Sequence, residues 1–137
     1  LNSAANNSSM YNLRPYDLIQ NVDYRYYLLC KDTECLFQEF VQAASSVKED
    51  RQSIEKIHYY MNVIACNRLL PPTKFKSIKD NDLKGLYEFK HKHIRVYALM
   101  KKPDIIIILG GYKSNQKGDI KRFKQIVDNY LQQINKP

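Results

Sequence analysis

The stretch "EFKHKHIRVY", residues 88–97, places Lys90, His91, Lys92, His93 and Arg95 within six positions. Three chemistries use such residues. Two histidines one residue apart on a strand can share a metal, but zinc wants a third and usually a fourth ligand. The remaining histidine, His58, lies far along the chain in a helical segment. An imidazole, with an ordinary pKa of about 6.5, can instead act as general acid or base near neutrality. A lysine and an arginine held side by side repel each other unless an anion sits between them, which suits a phosphate. A solvated hairpin with charges on its outer face is the plain structural alternative.

The elements around the stretch decide where these groups point. "GLYEFKH" and "IRVYALMKK" alternate with period two and read as strands joined tightly around Lys92–His93. "PDIIIILGGY" follows after a Pro103-Asp104 turn, and its unbroken Ile105–Leu109 run predicts a central strand covered on both faces. Alternation puts Phe89, Ile94, Val96 and Ala98 on a core face, and Lys90, Arg95 and Tyr97 together on the opposite side, expected to be open. Lys113 and Lys117 flank the end of the next strand. Lys121, Arg122 and Lys124 follow on a last helix, "DIKRFKQIVDNYLQQI", with Tyr97, Tyr112 and Tyr130 nearby for stacking or proton transfer.

Upstream, "VDYRYYLLC" (22–30) reads as a first strand. A helix through Leu36, Phe37, Phe40, Val41, Ala44 and Val47 follows, with Asp32 or Thr33 as N-cap. A second helix, "DRQSIEKIHYYMNVIACNRLL", ends at Pro71-Pro72, and the short link between the two predicts a helical hairpin. The expected fold is α+β, in the order β-α-α-β-β-β-α. It combines a mostly antiparallel sheet of about four strands with an N-terminal helical hairpin and a C-terminal helix. Residues 10–137 read as one domain, with 1–9 a disordered tag or tail ahead of a start at Met10.

Composition narrows the partners. The net charge of +8 is unevenly spread: residues 1–73 hold seven basic and eight acidic residues, residues 74–137 fifteen and six. A basic half-molecule attracts nucleic acid or an acidic protein. No apolar run approaches the ~20 residues of a membrane span. The spacing of Cys30, Cys35 and Cys66 fits neither a zinc ribbon nor a secreted disulfide framework, so three reduced, mostly buried thiols and a cytoplasmic location are expected.

Four segments in order, "LKGLYEFK" (83–90), "IRVYAL" (94–99), "IIIILGGYK" (105–113) and "DIKRFKQIVDNYL" (119–131), make the chain resemble the RelE/ParE superfamily of bacterial toxins, most closely its HigB branch. The resemblance spans about residues 22–131. It implies a metal-independent endoribonuclease without cofactor that cleaves mRNA on the translating ribosome. Its implied partner is a small antitoxin, often acidic and in some cases carrying a helix-turn-helix. The implied catalytic residues are Lys90, Arg95, Tyr130, His91 and His93, with Arg95 holding the scissile phosphate. Lys90, Lys92, Arg95, Lys113, Lys117 and Lys121 would bind RNA. The loop before the last helix is shorter than that branch's usual pattern and lacks its Thr-Pro, and Glu88 stands where the RelE branch proper has a lysine. Two other activities remain open on the same resemblance: a ParE-like gyrase poison and a basic RNA-binding protein without chemistry.

Overall fold

A computed structural model describes residues 10–136; the expected tag or tail at 1–9 lies outside the described residues. Strands β1 (Tyr11–Pro15) and β2 (Arg25–Lys31) precede helices α1 (Leu36–Ala44) and α2 (Lys48–Ala65). Strands β3 (Phe75–Ser77), β4 (Leu86–His91), β5 (Ile94–Lys101) and β6 (Asp104–Tyr112) follow. A short 3₁₀ turn, Lys113–Asn115, then leads into α3 (Gln116–Ile134). The sheet order is β1-β2-β6-β5-β4-β3. Every neighbouring pair is antiparallel except β2 and β6, which run parallel from Arg25↔Asp104 to Leu28↔Ile107.

The sheet is thus six-stranded and mixed, with three helices, and not the four-stranded, mostly antiparallel sheet expected from the sequence. Both additional strands are short edges of weak strand pattern. β1 is "YNLRP" and β3 only "FKS", and each is held by pairing with a stronger neighbour. The parallel pair arises because α1 and α2 carry the chain from β2 across one face, and the sheet then closes by placing β6 beside β2.

β6 occupies the centre. Its Ile105 and Ile107 face the layer of α1 and α2, beside Phe37, Ile57, Met61, Phe89 and Val96. A register shift opposite Tyr97/Ala98 lets Ile106, Ile108 and Leu109 all meet Phe123, Val127 and Tyr130 of α3. Both faces are therefore covered, as the Ile run requires. The helix boundaries shift slightly from expectation: α1 starts after Cys35, without a side-chain cap from Asp32 or Thr33, and α2 ends at Ala65, with Asn67 in the left-handed region.

The expectation of three reduced thiols does not hold. Cys30 and Cys35 form a disulfide, and Cys66 is exposed. A tight turn, with Lys31 and Glu34 exchanging backbone hydrogen bonds and Asp32 at φ 57°, folds the end of β2 back onto the start of α1. Sequence spacing alone hides that juxtaposition. Among the described residues no helix is long and apolar enough to cross a membrane.

Candidate functional site

The β4–β5 hairpin carries the opening stretch, and alternation places its side chains on two faces. Lys90 and Arg95 are directly opposed, as are Glu88 and Tyr97. All four lie on one face, but that face is not open. The start of α3 covers it, because Phe123 packs on Tyr97 and anchors the helix there. Arg95 is only 8 % exposed and Glu88 5 %. The Arg95 guanidinium turns inward, Nη1 donating to the carbonyls of Lys92 (2.8 Å) and Ile94 (2.9 Å), with Nε 3.9 Å from the Glu88 carboxylate. Gln116 of α3 donates to the same carboxylate at 2.8 Å. Arg95 thus holds the two-residue turn, in which Lys92 has φ 51°, and does not reach solvent as an open-face phosphate ligand would. Among the described residues, the Arg95 Nε and the Tyr97 hydroxyl lack hydrogen-bond partners.

On the opposite face the groups converge differently. His91 is half-buried, and its Nδ1 lies 3.1 Å from the hydroxyl of Tyr60, on α2. Tyr60 itself is buried, and two ammonium groups lie over its ring: Lys74 at 5.5 Å from the centroid and Lys56 at 5.9 Å. Helical spacing puts Lys56 one turn before Tyr60, while the turn after Pro71-Pro72 delivers Lys74 beside β4, where its carbonyl accepts the Lys90 N–H. Burial lowers the pKa of His91, and the charges of Lys92, Lys56 and Lys74 lower it further. The imidazole is therefore neutral at pH 7. Burial raises the Tyr60 pKa, keeping its hydroxyl protonated. The bond fixes the ring's orientation, and in the tautomer whose Nδ1–H donates to the Tyr60 oxygen the ring keeps a lone pair on Nε2. Two cations flanking a neutral imidazole form a place for an anion whose proton chemistry that imidazole can serve.

The remaining predicted site residues fall in two places. Lys92 and His93 are exposed in the hairpin turn, and the Lys113 N–H donates to the His93 carbonyl at 2.7 Å, so the basic start of α3 adjoins the turn. Lys117 and Lys121 follow, exposed, in the first turns of α3. Tyr130 sits elsewhere. It is buried in the core beneath α3, edge-on to Tyr11. Its pKa is raised by burial and by Asp104, at the far end of β6 from the Arg95 partner Gly111, about 23 Å along the strand. His58 is also remote, bonded through Nε2 to the Tyr16 hydroxyl at 2.7 Å. Among the described residues no group of three or more His, Cys, Asp and Glu side chains is placed to hold a metal ion.

A cleft of about 550 Å³ opens at the other end of β4, between the 77–87 segment and Lys124. Its Asp80 carboxylate is held at a pKa of about 2 by the N–H groups of Leu83 and Asp82 and by Lys124, its salt-bridge partner at 3.1 Å. That pair neutralises itself. Sequence reading missed Lys56, Tyr60 and Lys74 because they come from separate elements, although the K-x-x-Y-Y run at 56–60 offered a local signal. No family model, no curated protein and no solved structure matches the chain.

Proposed function

We propose that the protein is the toxin of a toxin–antitoxin pair, a metal-independent endoribonuclease acting on mRNA in the cytoplasm, of the RelE/ParE kind and nearest to HigB. The observation that carries the reading is the convergence of Lys56 and Lys74 on Tyr60, with His91 bonded to the same tyrosine. His91 Nε2 takes the proton of the ribose 2′-OH. The 2′-oxygen attacks phosphorus, the bond from phosphorus to the 5′-oxygen breaks, and His93, in the adjoining turn, supplies the proton that completes the leaving 5′-hydroxyl. Lys56 and Lys74 offset the charge that builds on the phosphate. Lys90, Lys92, Lys113, Lys117 and Lys121 extend the cationic surface along the RNA, with the ribosome as the setting for cleavage. The net +9 of residues 74–137 suits an acidic antitoxin as well.

His91→Ala is expected to lower RNA cleavage by about 10²–10⁴-fold, with the far-ultraviolet circular dichroism spectrum unchanged. In the wild-type protein the acid limb of the rate profile should lie below pH 6.5, because the His91 pKa is lowered. Full cleavage by His91→Ala would sink the assignment. The burial of Arg95 favours a second reading, an RNA-binding protein without chemistry, since it withdraws one expected phosphate ligand. Binding of RNA with no cut products from the purified wild-type protein would select it.

A further inference from the structure

We infer that Tyr59 is a base-stacking platform beside the phosphate site, so that the site takes single-stranded and not duplex RNA; this rests on the nuclease reading above. Tyr59 is 56 % exposed on α2, a large aromatic ring left in solvent next to buried Tyr60. The two rings are 6.0 Å apart at 56°, and the Lys56 ammonium lies 5.0 Å from the Tyr59 centroid and 5.9 Å from that of Tyr60. One cation therefore lies between the exposed Tyr59 ring and the buried Tyr60 to which His91 is bonded. A strand whose phosphate is held by Lys56 and Lys74 carries its next base about one nucleotide away, within reach of that ring. Stacking needs a base free of its partner strand, and every base offers a π-face, so the subsite selects strandedness over sequence. The helix dictates the arrangement: Lys56 and Tyr59 are three residues apart on the exposed side of α2, while Ile57, Tyr60 and Met61 face the core.

The probe is a fluorescein-labelled RNA of about 12 nucleotides, 2′-O-methylated so that it cannot be cut, used single-stranded and as its duplex, with anisotropy as the readout. The single strand should bind at least about tenfold more tightly than the duplex. Tyr59→Ala should lose about tenfold of the single-strand affinity with little change for duplex, and Tyr59→Phe should retain it. Equal binding of both forms, or a Tyr59→Ala protein that binds the single strand as the wild type does, would overturn the stacking subsite. The same variants are assayed on unmodified RNA. Wild-type cleavage with unaltered Tyr59→Ala affinity removes the subsite and leaves the nuclease standing, whereas absence of both binding and cleavage in the wild type removes both.

Discussion

Arg95 shows how one residue can change meaning between sequence and structure. Alternation sets it on one face with Lys90, but α3 then closes over Arg95, and the guanidinium becomes a structural group. Its hydrogen bonds hold the carbonyls of the hairpin turn, and its Nε lies 3.9 Å from the buried Glu88 carboxylate. Removing one member of a buried pair leaves the other uncompensated, which costs about 3–5 kcal/mol. Arg95→Ala is thus expected to destabilise by about that amount in urea denaturation. Adding Glu88→Gln should recover at least about 1 kcal/mol of it, because the two residues share one network. Simple additivity of the two losses would show that the 3.9 Å contact carries no coupling. His91 differs because its neighbour is a tyrosine and its surroundings are cationic, so it stays neutral and partly accessible.

At the scale of elements, legibility followed pattern strength. The strands around Leu86–His91, Ile94–Lys101 and Asp104–Tyr112 carry long period-two or all-apolar runs and could be read directly. β1 and β3 could not, since Asn12, Arg14 and Pro15 or a three-residue "FKS" carry no such signal and depend on the edge they join. Nor could alternation reveal which face α3 would cover, for that depends on Phe123 meeting Tyr97 from 26 residues away. The cluster on Tyr60 was hidden for the same reason, being assembled from α2, the Pro71–Lys74 turn and β4. Helix α2 also makes a pH-dependent contribution. Burial lowers the pKa of His58, with Glu55 opposing, and His58 Nε2 is hydrogen-bonded to the Tyr16 hydroxyl, whose own pKa burial pushes up to about 12. A depressed folded-state pKa means the unfolded chain binds more protons below pH 6.5, so stability should be full above that value and fall as pH drops through the folded pKa. Denaturation midpoints of the wild type should be lower at pH 5 than at pH 7.5. His58→Gln, which keeps an acceptor for Tyr16, should flatten the difference, and an unchanged slope would remove His58 as its source.

For the molecule as a whole, the excess charge is a surface property with a measurable consequence. Lys56 of α2, Lys74 of the turn before β3 and Lys92 of the hairpin all act on His91, while Lys113 of the 3₁₀ turn adjoins the hairpin through its backbone N–H. Glu88, the carboxylate nearest this group on β4, is buried and turned toward Arg95 and Gln116, so it does not cancel the surface charge. An RNA strand lying there releases counterions in proportion to the phosphates neutralised, and the logarithm of affinity falls against the logarithm of salt by about 0.7 per contact for a single strand. Four such contacts, from Lys56, Lys74, Lys92 and Lys113, would give a slope of about −3. Lys74→Ala should reduce its magnitude by about 0.7, whereas Tyr59→Ala should weaken binding at every salt concentration and leave the slope unchanged. Electrostatic and stacking contributions would then separate within one titration series. A Lys74→Ala slope equal to that of the wild type would place the RNA elsewhere on the basic surface, and with it the reacting phosphate away from His91.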